Sequence, residues 1–118
     1  MATKTLSVSV KADATVAADG FSDVVRCKNV TKASVYAVAT LAGTTPSFNC
    51  FIQTKDANGN WHDVGSGAGA ITATGSTSEV AVAGPFGDEF RVRMDVDVAD
   101  TDETYTGVDV ALALEYEE

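Results

Sequence analysis

The sequence predicts an all-β protein, an antiparallel β-sandwich of jelly-roll type with about eight to nine strands. Apolar residues recur at every second position in many windows, and no window of helical length shows a 3.6-residue apolar period. Valine, threonine and phenylalanine are enriched in those windows, as is typical of strands. Turn residues separate the windows into short segments, which favours a sandwich first and a small closed barrel second.

Length and composition favour one domain over residues 1–118, with a short polar N-terminal arm at residues 1–4. Eight Lys and Arg against 17 Asp and Glu give a formal net charge of −9. This charge repels a phosphate backbone, so we expect no nucleic-acid partner. No apolar run reaches the length of a membrane helix, and the N-terminus lacks the pattern of a signal peptide. We therefore expect no membrane partner and synthesis in the cytoplasm.

The first part of the chain contains four candidate strands that alternate apolar and polar residues or lie between turn residues. The last of the four carries apolar side chains on both faces, so burial on both sides is possible. The segments are Thr5–Lys11, a weak strand at Thr15–Ala17, Phe21–Cys27 and Ala33–Leu41.

Residues Ser47–Val64 predict a β-hairpin around which the chain is organised. Phe48, Cys50 and Ile52 alternate with polar residues on one strand, and Phe51 breaks this alternation. Asn58-Gly59 readily supplies the positive φ angles of a tight reversal, and Trp61 opens the returning strand.

Four further strands are expected after a Gly-rich connection, and the strongest alternation in the chain lies in the third of them. There Arg91, Arg93, Asp95 and Asp97 occupy the polar face. The segments are Ala70–Thr74, Ser78–Ala83, Phe90–Val98 and Thr104–Tyr116, with turns at Gly75-Ser76 and Gly84–Gly87. The predicted core consists of Leu6, Val8, Val35, Ile52, Phe90, Val92, Met94, Val96, Val110, Leu112 and Leu114.

The residues for catalysis are missing, so we predict no enzyme, no catalytic residue and no cofactor. The single histidine, His62, is expected on the solvent face of the hairpin. The Gly65–Gly69 run lacks the following helix and lysine of a phosphate loop, so it is interpreted as a flexible connection. Cys27 and Cys50 show no metal-ligand spacing and are interpreted as two reduced, buried thiols.

Two binding sites are conceivable, and each has a more ordinary interpretation. Carboxylates are the ligands that calcium prefers, but the acidic cluster does not fit the spacing of an EF-hand loop and is interpreted as solvated. That cluster is Asp95, Asp97, Asp100, Asp102 and Glu103. Aromatic faces bind sugars, but core or rim packing explains the four aromatic residues as well. These are Trp61, Tyr36, Tyr105 and Tyr116. We predict no metal site.

A family resemblance adds to this interpretation. The segment Phe51–Gly65, the Gly-rich stretch after it, the turn Gly84–Gly87 and the strand Phe90–Met94 resemble a pattern in small structural proteins of tailed bacteriophage virions. The similarity extends over roughly residues 33–118. It implies a non-enzymatic virion protein of the head decoration (cement) type, and it carries over no functional residue.

The resemblance also implies partners and a location. The partners would be the major capsid protein or other virion proteins, together with further copies of the chain in a homo-oligomer. The location would be the virion. The same arrangement of strands occurs in carbohydrate-binding proteins, so the alternative is a carbohydrate-binding or host-recognition module of a tail or fibre.

Overall fold

A computed structural model describes residues 2–118 as two antiparallel β-sheets packed face to face, which confirms the predicted all-β sandwich. Sheet A has the strand order β1-β9-β4-β7, and sheet B has β2 and β3 beside β8, followed by β5 and β6. Within this range there is no helix with the length and hydrophobicity to cross a membrane. The nine strands are Thr3–Ala14 (β1), Gly20–Phe21 (β2), Val25–Arg26 (β3), Val30–Ala42 (β4), Phe48–Lys55 (β5), Trp61–Val64 (β6), Gly75–Ala83 (β7), Glu89–Val96 (β8) and Thr104–Glu117 (β9).

The strand order is that of a jelly roll. Both β2 and β3 pair with β8, so together they form one interrupted strand, and the sandwich has two sheets of four strands. Each sheet draws its strands from distant parts of the sequence. The first and last long strands, β1 and β9, lie side by side in sheet A.

The predicted strand Phe21–Cys27 is interrupted at Ser22, where the side-chain hydroxyl replaces a backbone carbonyl as the hydrogen-bond acceptor for β8. This hydroxyl accepts a hydrogen bond from the Val92 N–H at 2.8 Å, and the next N–H, of Asp23, donates across to the Val10 carbonyl of the other sheet at 3.1 Å. The weak strand expected at Thr15–Ala17 is wrong. Val16 makes one backbone bond to Tyr105 and packs inward without joining a ladder.

The predicted core is confirmed at its centre. All of its members are buried except two on β1: Leu6, which is 36% exposed, and Val8, which is partly buried. Because β1 is an edge strand, these side chains have a neighbouring strand on one side only. The strand expected to be buried on both faces, β4, has one buried face, and Tyr36 and Val38 on its other face are exposed.

Three elements differ from expectation in the second half of the chain. The expected strand Phe90–Val98 ends at Val96, and Val98 is 42% exposed. The expected turn at Gly75-Ser76 is instead the start of β7, because β4 continues far enough to pair with these residues. The expected strand at Ala70–Thr74 is a single bridge from Ile71 to Phe48. The hairpin is confirmed, with Gly59 at φ +87° in its turn.

The residues expected in a free N-terminal arm belong largely to sheet A. Thr3 and Lys4 pair with the end of β9, and the Lys4 ammonium lies 2.9 Å from a Glu118 carboxylate oxygen. Met1 lies outside the described residues. The expectation of a free arm is therefore wrong for Thr3 and Lys4.

Candidate docking surfaces

Sheet B carries a layer of aromatic and arginine side chains on its outward face. Since Phe90, Val92 and Met94 of β8 point into the core, the intervening Arg91 and Arg93 point outward. The same alternation places side chains of β2, β5 and β6 beside them. We call this set the arginine–aromatic face: Phe21, Phe51, Gln53, Trp61, Asp63, Arg91 and Arg93.

Arg91 lies between two aromatic rings. Its guanidinium carbon is 3.7 Å from the ring centre of Phe21 and 4.3 Å from that of Trp61. Both distances are well within the range of cation–π attraction. Its Nε donates a 2.8 Å hydrogen bond to the side-chain oxygen of Gln53. Partial burial lowers the pKa of Arg91, because desolvation disfavours the charged form.

Arg93 has the same stacking but a different polar partner. Its guanidinium carbon lies 4.1 Å from the ring centre of Phe51, and its Nε and Nη2 donate to the two carboxylate oxygens of Asp63 at 3.2 and 2.9 Å. This two-point bond lowers the pKa of Asp63 and raises that of Arg93. The pair is therefore internally neutralised.

Gln53 joins the two arginines into one network. It is only 7% exposed, and its amide nitrogen donates to Asp63 at 2.8 Å while its oxygen accepts from Arg91. The side chains of β5, β6 and β8 are thus held in one arrangement before any partner arrives. Such prior ordering reduces the entropy lost on binding.

The Gly-rich loop supports Phe51 from the side. A Cβ atom on Gly67 would lie 2.5 Å from the Phe51 ring, so only glycine permits this approach. The carboxylate of Glu79 accepts hydrogen bonds from the backbone N–H groups of Ser66 and Gly67 at 2.9 and 3.2 Å. A residue of β7 thereby fixes a segment that the sequence indicated only as a connection.

The outward face of sheet A has a different character, since its central positions carry no charge. The exposed side chains of Tyr36 and Val38 border an open groove of about 410 Å³. Asp109 is the cross-strand partner of Val38 and lines the groove at one end of the face, and Lys32 and Glu115 lie at the other end. We call this set the uncharged face: Ser7, Ser9, Ser34, Tyr36, Val38, Ser76, Ser78, Ala111 and Ala113.

The acidic residues at the end of β8 hold two loops together. Asp102 accepts from the Thr44 hydroxyl at 2.6 Å, and Asp100 accepts from the Thr45 hydroxyl. Interaction between the neighbouring carboxyl groups of Asp102 and Glu103 is the largest cause that lowers the pKa of Asp102, to about 2, and raises that of Glu103. Across residues 2–118 no group of three potential metal ligands comes together.

The other two acidic residues of the cluster, Asp95 and Asp97, lie at the end of β8 and directly after it. Asp95 lies 3.8 Å from Arg93, and Asp97 accepts a hydrogen bond from the Ala99 N–H at 2.9 Å. Each carboxylate therefore has a local structural partner.

The four aromatic residues considered for sugar binding do not form a platform. Tyr105 is fully buried, and its hydroxyl donates to the Asp97 carbonyl at 2.5 Å. Tyr36 and Trp61 lie on opposite sheets, and Tyr116 lies near the end of β9. The aromatic residues that share a surface are Trp61, Phe21 and Phe51. The broken alternation at Phe51 was a sequence signal for this surface, whereas Phe21 gave none.

The histidine and the thiols occupy ordinary positions. His62 is exposed on the hairpin, as expected, and its Nε2 lies 2.6 Å from an Asp56 carboxylate oxygen. Cys27 and Cys50 are free thiols, the second fully buried and the first partly buried. Burial raises the pKa of Cys50 to about 12 and also raises that of Cys27.

Comparisons with known proteins give a likeness of fold. No family model matches the chain, and no curated protein matches it in sequence. A chain in the structure of infectious bursal disease virus, Gx strain, aligns with a TM-score of 0.69 at 11% identity, over 98% of this chain and 33% of that one. The SPBc2 prophage-derived protein YomS aligns with a TM-score of 0.50 at 13% identity, over 98% and 96% of the two chains.

The chain therefore spans about a third of the virus chain and nearly all of YomS. At these identities the likeness shows a common fold, and function has to be argued from the surfaces.

Proposed function

We propose that this protein is a non-enzymatic structural component of a virion, a decoration protein that docks on the head lattice and stabilises it. Its partners would be the major capsid protein or another virion protein. The fold supports this proposal, because chains of similar fold occur in infectious bursal disease virus and in a prophage-derived protein. The sequence resemblance to small structural proteins of tailed bacteriophage virions points in the same direction.

The observation that carries the proposal is the arginine–aromatic face. Tryptophan and arginine are enriched among the few residues that dominate the binding energy of protein interfaces. Side chains that are ordered before binding lose less entropy when they bind. Phe21 is 48% exposed beside the stacked Arg91 and Trp61, so exposed apolar area and directed hydrogen-bond donors lie together on one face of sheet B. A surface of this composition, whose side chains are already held by mutual contacts, suits docking on another protein.

The proposal includes contact between copies through the uncharged face. Two copies with a formal charge of −9 each repel one another over most of their surfaces. Contact through the uncharged face brings together mainly serine, alanine, tyrosine and valine side chains, with Asp109 at its border. The uncharged face spans at most five residues of a strand, Ser34 to Val38, or about 16 Å, so four strands about 4.8 Å apart give an area of roughly 300 Å² per copy. Two such faces reach about 600 Å², so we expect this contact to be weak by itself and to form between copies held side by side on the lattice.

The test is binding to isolated heads that lack the protein. Added protein should bind with saturable stoichiometry and raise the temperature at which heads release their contents. Trp61→Ala should bind at least tenfold more weakly, because an interface residue of this type costs about 2 kcal/mol or more when truncated. The control is Val98→Ala, since Val98 is 42% exposed and lies on neither face.

The proposal fails if heads with and without the protein are equally stable, or if Trp61→Ala binds as well as the unaltered protein. A signal on a glycan array that depends on Trp61, without binding to heads, would instead support the host-recognition alternative.

A further inference from the structure

Arg91 is a cation for which the described part of the chain supplies no anion. No ion pair among residues 2–118 includes it. Its Nε is bonded to Gln53, while its two terminal nitrogens donate to no described residue. We propose that the terminal nitrogens of Arg91 form a carboxylate-binding site. Its occupant is an Asp or Glu side chain of the protein on which this chain docks. This inference rests on the proposed function and names the chemistry of its contact.

The surroundings of Arg91 hold its guanidinium in one plane. The ring centres of Phe21 and Trp61 lie 3.7 and 4.3 Å from its guanidinium carbon, and Gln53 accepts the hydrogen bond from Nε. The remaining N–H donors, on the two terminal nitrogens, lie in the plane of the guanidinium. A planar pair of N–H donors matches the two oxygens of a carboxylate, and charge-assisted bonds of this kind are short and strong.

Arg93 shows what such an arginine binds in this protein. It lies two residues away on the same strand and face, stacks on Phe51 at 4.1 Å, and forms a two-point bond with Asp63. The corresponding neighbour of Arg91 is the neutral Gln53. The two sites differ mainly in that one has its own carboxylate and the other does not.

The electrostatics also favour an external carboxylate at Arg91. Desolvation between the rings destabilises the cation, and an anion brought to it would restore favourable charge interactions. The chain's overall charge of −9 repels strongly acidic surfaces. The occupant that fits both facts is a single Asp or Glu on a surface that is otherwise neutral or basic.

The first test uses the isolated protein and needs no variant. The side-chain Nε–H signals of Arg91 and Arg93 are followed by NMR during titration with sodium acetate, with sodium chloride at equal ionic strength as reference. The expected result is a saturable change in the chemical shift of the Arg91 signal and none in that of Arg93, because Asp63 already binds the Arg93 guanidinium. Equal responses to acetate and chloride, or a response to inorganic phosphate alone, would show that Arg91 is not a carboxylate-binding site.

The second test is binding of variants to heads. Arg91→Gln should weaken binding about 30-fold or more, the usual effect of truncating one partner of a desolvated charge pair. Arg91→Lys, which keeps the charge but loses the planar donors, should remain at least fivefold weaker. The control is Arg26→Gln, the same charge change on sheet B at a side chain that is 82% exposed, and it should bind within twofold of the unaltered protein.

The outcomes separate the two proposals. If Trp61→Ala loses binding while both Arg91 variants keep it, the docking function stands and the proposal of a carboxylate-binding site at Arg91 is wrong. If the unaltered protein does not bind heads at all, the docking function is wrong, and the acetate titration alone decides whether Arg91 accepts a carboxylate. Melting temperatures of the variants show whether a loss of binding comes from unfolding.

Discussion

Leu112 is the position where the packing of the sandwich can be measured most directly. It lies on β9 between Val8 of β1 and Val35 of β4, and it is fully buried. Leu112→Ala removes about three methylene equivalents, worth about 2.5 kcal/mol of transfer free energy. The enclosed cavity left behind raises the expected loss to about 3–5 kcal/mol. This is a large part of a total stability of about 5–15 kcal/mol.

Leu6 provides the matched control, because the same substitution there is made at the edge of the same sheet. It pairs with Leu114 on one side only and is 36% exposed. About two thirds of the transfer free energy of the removed methylene groups is lost there, and no closed cavity forms. Leu6→Ala should therefore lower the free energy of unfolding by about 1.5 kcal/mol. At about 4 °C per kcal/mol for a domain of this size, the melting temperature should fall by about 12–20 °C for Leu112→Ala and about 6 °C for Leu6→Ala.

Urea unfolding followed by tryptophan fluorescence and circular dichroism gives both free energies, provided that the slope m is unchanged. Equal losses at the two positions would show that β1 is not an edge strand. A loss below about 1 kcal/mol at Leu112 would show that β9 does not lie at the centre of sheet A. Either result would refute the assignment of faces.

Two further predictions concern association and the thiols. Val38→Asp places a charge on the uncharged face and should lower the association constant of the free protein, measured by sedimentation. Val98→Asp, the control, should leave that constant unchanged. Equal effects of the two substitutions would show that the uncharged face is not the contact between copies. Under native conditions Cys27 should react with iodoacetamide and Cys50 should not, because burial raises the pKa of Cys50 to about 12. Mass spectrometry after unfolding should show two free thiols, and a mass two units lower would indicate a disulfide.

The sequence by itself determined the fold class and most of the core. Period-two alternation is a local property, so β8 and β9 and the inward residues Val92, Leu112 and Leu114 could be assigned without knowing any strand partner. The hairpin was equally local, since the Asn58-Gly59 reversal and its two flanking strands are contiguous. Short or interrupted strands were not predictable in this way, because β2 and β3 exist only through their pairing with β8.

Only the tertiary structure decided which side chains share a surface. Phe21, Trp61 and Arg91 are each about 30 to 40 residues from the next in sequence, and they meet because the jelly-roll order places β2, β8, β5 and β6 in one sheet. The same order gives Arg93 a carboxylate from Asp63 and leaves Arg91 with the neutral Gln53. Sequence alternation assigns a side chain to a face of its own strand, but strand order and register set its neighbours across the sheet, and these pairings are long-range.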